Sequence, residues 1–125
     1  MIMKTRPKLL IAGRSKEAVT ALQKHLQSHS HNDVQIRHIL NGHADPLHGV
    51  AELPDLLIVH VNGLEGGELE ALLQRPASIR PPIVVISETD DAAAMRFAMK
   101  AGARGFLLHS ESLVVVDCVV ALWGA

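Results

Sequence analysis

Five short apolar segments, alternating with stretches of helical character, constrain the fold of this chain more than any other feature. The segments are KLLIA (8–12), VQIRHI (34–39), DLLIVHV (55–61), IVVIS (83–87) and GFLL (105–108). The first, third and fourth are almost wholly aliphatic, which is typical of central parallel strands covered on both faces. The second alternates apolar with polar residues, which indicates a strand nearer an edge of the sheet.

Helix signals fill the intervals between these strands. The predicted helices run from Ser15 through Leu26, over 43–52, over 68–74, from Asp90 or Asp91 to Lys100, and over 110–123. The second is short because Pro46 and Gly49 limit it, and Gly102 is the expected C′ glycine of the fourth. Strands spaced by helices imply right-handed βαβ crossovers and a parallel sheet with helices on both faces, an α/β fold.

The last segment carries an unusual density of apolar residues. From Leu113 to Trp123, the only polar residues are Asp117 and the weakly polar Cys118. Its β-branched run LVVVDCVV has a high strand propensity, so a strand is the alternative to a helix here. As a helix it would be apolar all round, and such a helix is buried on both sides or forms a patch that mediates association.

Composition excludes several classes of function. The 125 residues are 48% hydrophobic and 20% charged with a formal net charge of -1, which fits one ordinary globular domain without a basic surface for nucleic acid. No apolar run approaches the roughly 20 residues that span a bilayer, so we expect no membrane segment. The single cysteine, Cys118, excludes an internal disulfide and favours a reducing, cytoplasmic location.

Motifs for nucleotide, metal or hydrolytic chemistry are incomplete. The turn after the first strand, AGRSKEAV, has one glycine, and NGLEGG (62–67) lacks a lysine, so neither forms a phosphate loop. His25 and His29 have a spacing that can hold a metal on one helical face, but the sequence places no further ligand beside them. Ser87 lacks the flanking glycines of a hydrolase nucleophile. We therefore expect no metal, no cofactor and no enzymatic activity.

Three stretches resemble a two-component receiver domain across nearly the whole chain. They are KLLIAGRSKEAVTALQKHL (8–26), PDLLIVHVNGLEGGELEALL (54–73) and RPPIVVISETDDAAAMRFAMKAGARGFLLHS (80–110). The piece AMKAGARGFLLHS is the most specific, since receivers typically carry an Ala-Gly-Ala turn, an aromatic fifth strand and then a lysine. The resemblance implies a flavodoxin-like (CheY-like) three-layer sandwich of (βα)5 type, with a five-stranded parallel sheet of order 2-1-3-4-5.

The same resemblance locates a phosphorylation site whose residues are mostly replaced. Receivers hold Mg²⁺ with an acidic pair after the first strand, where this chain has Gly13 and Arg14. Their phospho-accepting aspartate ends the third strand, where His60 stands. The hydroxyl residue ending the fourth strand survives as Ser87, and the lysine ending the fifth is His109. Because Mg²⁺ requires carboxylate oxygens, the resemblance implies a pseudo-receiver that is not phosphorylated.

Atypical receivers of this kind occur at the N-terminus of the CpaE/TadZ proteins of Flp (Tad) pilus assembly, ahead of a ParA/MinD-like ATPase domain. By this resemblance, residues 1–125 form one receiver-like domain, either a protein that stops there or the excised N-terminal part of a longer one. It implies a non-catalytic, regulatory or localising module that binds proteins and forms a homodimer. Receivers dimerise through the fourth helix, fifth strand and fifth helix, and the corresponding interface here comprises Arg96, Lys100, Arg104, Val115, Asp117, Val119 and Leu122.

Two alternatives stay open at the level of sequence. One is a response-regulator receiver with a modified phosphoryl or ligand site, in which His60 accepts phosphate and Arg14 and His109 attract the anion. We expect His60 to be structural filler instead, because Val59 and Val61 indicate a packed surrounding with no base or metal to assist. The other alternative is a flavodoxin-like domain that binds a small molecule in a roomy cleft near Gly13, Asn62 and Ser87.

Overall fold

A computed structural model describes residues 8–29, 33–38, 46–47, 52–62, 67–74, 81–100 and 102–108 of the chain. Its strands are β1 (Lys8–Gly13), β2 (Asp33–His38), β3 (Leu56–Val61), β4 (Ile83–Ser87) and β5 (Ala103–Leu108). The helices within the described ranges are α1 (Lys16–His29), α2 (Glu68–Gln74) and α3 (Ala92–Lys100). A described helix separates β1 from β2, β3 from β4 and β4 from β5, as the sequence predicts. α2 and α3 correspond to the third and fourth predicted helices.

The five strands lie parallel in one sheet of order β2-β1-β3-β4-β5. The three aliphatic strands β1, β3 and β4 are central, whereas the alternating strand β2 lies at an edge, as predicted. Every residue of β3 and β4 is buried, which is the pattern of parallel strands covered on both faces. The chain therefore has the flavodoxin-like (CheY-like) α/β fold expected from its sequence.

Two hydrophobic clusters lie on opposite faces of this sheet. One joins side chains of β1, β3 and β4 to Val19 and Leu22 of α1. The other joins the alternate residues of the same strands to Leu69 and Leu72 of α2 and to Ala94 of α3. Successive strand residues point to opposite faces, so each aliphatic run supplies both clusters. The result is a three-layer arrangement of helix, sheet and helix.

The helix ends follow capping signals in the sequence. The Ser15 hydroxyl accepts a hydrogen bond at 3.2 Å from the amide three residues further on, at the start of α1. The Asp91 carboxylate accepts one at 2.9 Å from the amide two residues further on, so Asp91 caps α3. Gly102 follows α3 with a φ of 90°, and its amide donates to the Met99 carbonyl at 3.1 Å. These contacts match the predicted start of α1 and the predicted start and end of α3.

Four strands have a boundary that differs from the prediction. β2 begins at Asp33 instead of Val34, and β3 begins at Leu56 instead of Asp55. β1 continues to Gly13, which the sequence placed in the turn after the strand, and β5 begins at Ala103 instead of residue 105. The extensions of β1 and β5 follow from pairing with a central neighbour, since Gly13 pairs with His60 and Ala103 with Ile83. Ladder hydrogen bonds to a long central strand can extend a strand past its apolar run.

Two predicted helices fall largely or wholly outside the described residues. Of the 43–52 segment, the structure describes residues 46, 47 and 52, and Pro46 and Leu47 form a buried turn. The 110–123 segment is not among the described ranges, so its assignment as a helix stays a prediction. Within the described ranges, no helix has the length and apolar character needed to cross a membrane.

Candidate functional site

The strand ends that carry the predicted site lie side by side at the carboxyl edge of the sheet. Gly13 of β1 is paired with His60 of β3, and Ser87 of β4 is paired with the residue after His60. Arg14 follows β1 directly, so four of the five predicted site residues come to one edge. His109, the fifth, lies outside the described residues.

Gly13 occupies a position without room for a side chain. A Cβ atom there would come within 2.9 Å of Val19 Cγ1, 3.0 Å of His60 Cβ and 3.2 Å of the His60 carbonyl oxygen. Carbon atoms in contact prefer about 3.5–4.0 Å, so even a methyl group is crowded. A metal-binding carboxylate at position 13 would require β1, β3 or α1 to move.

Arg14 is paired with a carboxylate from the neighbouring helix. Its Nε donates a hydrogen bond to Glu68 Oε1 at 2.9 Å. Glu68 is the first residue of α2 and is 2% exposed, whereas about a third of the Arg14 side chain is exposed. Burying a carboxylate is costly unless a cation and hydrogen bonds compensate, and Arg14 supplies both. The pair joins the turn after β1 to the start of α2.

His60 is buried and bonded to the residue that follows β4. It is 4% exposed, and its Nε2 lies 2.9 Å from Glu88 Oε1. Because an ionised carboxylate only accepts hydrogen bonds, Nε2 is the donor. The expected packed surrounding of His60 is confirmed, but the expectation that no base lies beside it was wrong. Glu88 is 28 residues away in sequence and comes close because β3 and β4 are paired.

The Ser87 hydroxyl is engaged within its own turn. It donates to the Thr89 carbonyl oxygen at 2.8 Å and accepts from the Thr89 amide at 3.1 Å. Ser87 is fully buried, and its hydroxyl proton and one lone pair shape the connection that leaves β4. The hydroxyl therefore has a structural partner in the chain itself.

These residues do not fit Mg²⁺, the ion that the receiver fold implies. Mg²⁺ takes oxygen ligands, carboxylates above all, in octahedral geometry. Position 13 lacks room for a carboxylate, Arg14 puts a cation beside it, and Glu68 is already bonded to Arg14. Among the residues that the structure describes, no three His, Cys, Asp or Glu side chains are grouped to hold a metal ion. Two side-chain pairs, Arg14–Glu68 and His60–Glu88, organise this edge instead.

Sequence reasoning missed Glu68 and Glu88, the two carboxylates that complete these pairs. Glu88 directly follows β4, and Glu68 begins α2, so both stand where the carboxyl edge of a parallel sheet gathers its loops. Their positions beside the ends of predicted strands were the signal that could have identified them. The identity of their partners depended on strand order, which the helix and strand pattern alone leaves open.

The predicted interface lies partly within the described residues. Its described members, Arg96, Lys100 and Arg104, are exposed, and Val115, Asp117, Val119 and Leu122 lie outside those ranges. The same side of α3 exposes two methionines that the sequence did not single out, Met95 (44%) and Met99 (52%). We call the exposed residues of α3 and β5 the partner face: Ala92, Met95, Arg96, Met99, Lys100 and Arg104.

A cavity of about 380 Å³ lies at the start of the partner face. On the helix side it is lined by Met95 and the residues around the start of α3, and on the sheet side by the end of β5. The lining residues are Asp90, Asp91, Ala92, Met95, Phe106, Leu107 and Leu108. Its lining is therefore mostly apolar, with two aspartates beside the start of α3.

The fold defines the class of protein that this chain resembles, the receiver domains of response regulators. No protein-family model matches the sequence, and no curated protein matches it. Solved receiver structures do match it, over most of its length and at identities that establish the fold alone.

Three of these structures show the extent of the likeness. A response regulator receiver protein from Pseudoalteromonas atlantica has a TM-score of 0.72 at 21% identity, over 94% of this chain and 96% of its own. A protein from Burkholderia pseudomallei described as pilus assembly-related has a TM-score of 0.75 at 15% identity, over 99% and 93%. The phosphorylated cyanobacterial phytochrome response regulator RcpA has a TM-score of 0.69 at 16% identity, over 94% of each chain. The predicted resemblance to receiver domains is confirmed at the level of fold.

Proposed function

We propose that this chain is a receiver-like domain that is not phosphorylated and acts through protein–protein contact, without catalytic activity of its own. One observation carries the proposal: His60, at the place of the phospho-acceptor, is buried and donates its Nε2 hydrogen to Glu88. As the donor, Nε2 has no lone pair with which to attack phosphorus. The other ring nitrogen, Nδ1, keeps its lone pair, but a ring that is 4% exposed gives it little access to a phosphodonor in solvent.

The charges at the carboxyl edge support the same proposal. Where receivers carry carboxylates on the strand ends, this chain carries Arg14 and His60, and its carboxylates come from the flanking elements as Glu68 and Glu88. The Glu88 carboxylate lies 2.9 Å from His60 Nε2 and is 43% exposed, whereas the Arg14 cation is already paired with Glu68. Like charges at short range repel, so the approach of a phosphate dianion is unfavourable.

Intact-mass measurement after incubation with acetyl phosphate and Mg²⁺ tests this part of the proposal. We expect no gain of a phosphoryl group under conditions that phosphorylate a receiver domain with an intact aspartate, which serves as the positive control. A phosphoryl adduct that is lost in His60→Ala would overturn it.

A receiver phosphorylated at His60 is the second candidate, and the His60–Glu88 contact is the observation in its favour. A carboxylate bonded to an imidazole can orient the ring and accept a proton during transfer. The same incubation, repeated with His60→Gln and Glu88→Gln, decides between the two. Phosphorylation of the wild type that both variants lose would establish the second candidate.

Self-association through the partner face is the next part of the proposal. The exposed residues of α3 recur at spacings of three and four, so they form one side of the helix, which includes Met95 and Met99. Exposed apolar side chains rimmed by charges are typical of association surfaces. Val115, Asp117, Val119 and Leu122 would extend this surface if the last segment is a helix beside β5.

We further propose a role in Flp (Tad) pilus assembly of the CpaE/TadZ kind, in the cytoplasm and joined to a downstream ATPase domain. The likeness to the Burkholderia protein described as pilus assembly-related supports this pathway. The full-length reading frame tests it. A Walker-type ATPase after residue 125 would support pilus assembly, whereas a helix-turn-helix domain would point to transcription.

A further inference from the structure

We propose that Glu88 is a positioning residue: its contact with His60 latches the connection between β4 and α3 to the end of β3 and so sets the shape of the partner face. The latch is the His60 Nε2–Glu88 Oε1 contact of 2.9 Å. Its consequence for self-association rests on the proposed function, whereas its effect on shape does not.

The residues after β4 are tied to β3 twice at one point. The Glu88 amide donates to the Val61 carbonyl at 3.0 Å, and the Glu88 side chain reaches back to His60. The Ser87 hydroxyl closes a turn with Thr89 at 2.8 Å and 3.1 Å. Backbone and side chain together leave Glu88 little freedom of position.

The same short stretch forms one wall of the cavity beside the partner face. Two residues separate Glu88 from Asp91, which caps α3 with its side chain at 2.9 Å and whose carbonyl accepts from the Met95 amide at 3.0 Å. Asp91 and Met95 both line the cavity. Movement of Glu88 is therefore transmitted to the first turn of α3 and to Met95.

Burial of His60 explains why the His60–Glu88 contact is favourable. A glutamate side chain as exposed as that of Glu88 has no need of a protein partner, because water solvates it. His60 is buried, and an imidazole N–H left without an acceptor in the core is unfavourable. His60 therefore requires a hydrogen-bond acceptor, and the Glu88 carboxylate provides it from the residues after β4.

Methionine methyl spectra and amide hydrogen exchange together test the latch in the full chain. The chain has four methionines, at 1, 3, 95 and 99, so the two on α3 are readily assigned. His60→Ala and Glu88→Ala should each shift the Met95 methyl and speed exchange over residues 88–95 roughly five- to tenfold, the effect of losing one hydrogen bond. Exchange in α1 should stay unchanged in Glu88→Ala.

Conservative variants separate positioning from general destabilisation. His60→Gln keeps a donor near the place of Nε2, and Glu88→Gln keeps an acceptor, so both should resemble the wild type. The double variant His60→Ala/Glu88→Ala should show an effect smaller than the sum of the two single variants, because each single variant already loses the His60–Glu88 contact. Glu70→Ala removes an exposed carboxylate of α2 and is the matched control.

Three results would each overturn the latch. They are wild-type exchange in Glu88→Ala, fully additive effects in the double variant, and spectra of both glutamine variants that differ from that of the wild type. If His60→Ala does not fold, Glu88→Ala and the glutamine variants still decide. If the variants change exchange and the Met95 methyl as expected but the protein does not self-associate, the latch is supported and only self-association is refuted.

Discussion

At the scale of single residues, Gly13 is a packing constraint with a control elsewhere in the sheet. Gly13→Ala places a methyl group 2.9 Å from Val19 Cγ1 and 3.0 Å from His60 Cβ, and we expect a loss of roughly 1–3 kcal/mol in the free energy of unfolding. An added Cβ at Gly105 of β5 meets nothing within 4 Å, so Gly105→Ala should be neutral or slightly stabilising. Urea unfolding measures both. Equal losses would contradict the packing argument.

Arg14 is the residue whose loss should expose the cost of a buried carboxylate. Arg14→Met leaves Glu68 without its cation, and Oε2 already has no hydrogen-bond partner among the described residues. We expect a loss of roughly 2–3 kcal/mol, below the range for fully buried pairs because Arg14 is about a third exposed. The double variant Arg14→Met/Glu68→Leu should recover part of it, since no charge stays buried.

Lys8→Met provides the comparison for that measurement. Lys8 Nζ lies 2.8 Å from Glu52 Oε2 in a pair whose side chains are both largely exposed. Exposed pairs contribute little, so the urea midpoint of Lys8→Met should stay close to that of the wild type. If Lys8→Met and Arg14→Met lost equal stability, burial of Glu68 would not be the cause of the loss in Arg14→Met.

At the scale of elements, the sequence predicts the central strands well because they are aliphatic runs. β3 and β4 are buried throughout and β1 is buried after Lys8, so their apolar runs are easily recognised in the sequence. The capping residues Ser15 and Asp91 mark helix starts. The partners of His60 and Arg14 were not predictable in the same way. They depend on which loops two paired strands and one helix bring to a common edge, and no local pattern encodes that proximity.

Gly102 tests how α3 ends. Its φ of 90° lies where L side chains are strained, yet an added Cβ would meet no atom within 4 Å. Gly102→Ala should therefore cost roughly 1–2 kcal/mol through the backbone alone. Gly105→Ala is again the matched control, measured by the same urea unfolding. A neutral Gly102→Ala would show that the helix can end without a left-handed residue.

At the scale of the whole molecule, the charges around the partner face indicate how two copies would meet. Asp90 precedes α3 and Lys100 ends it, about 15 Å apart along a helix of this rise. That separation exceeds the Debye length of about 8 Å at physiological ionic strength, so the two ends act independently. Two copies with antiparallel α3 helices would bring each acidic end to a basic end, with Met95 and Met99 packed between.

Charge reversal gives a sharp test of this pairing. Asp90→Lys makes both ends of α3 basic and Lys100→Glu makes both acidic, so each variant alone should self-associate roughly tenfold more weakly than the wild type in sedimentation velocity. A mixture of the two variants should regain association, because every contact between unlike copies then joins opposite charges. Glu70→Lys, on the exposed side of α2, controls for net charge. Variants that associate like the wild type, or a mixture without recovery, would place the contact elsewhere.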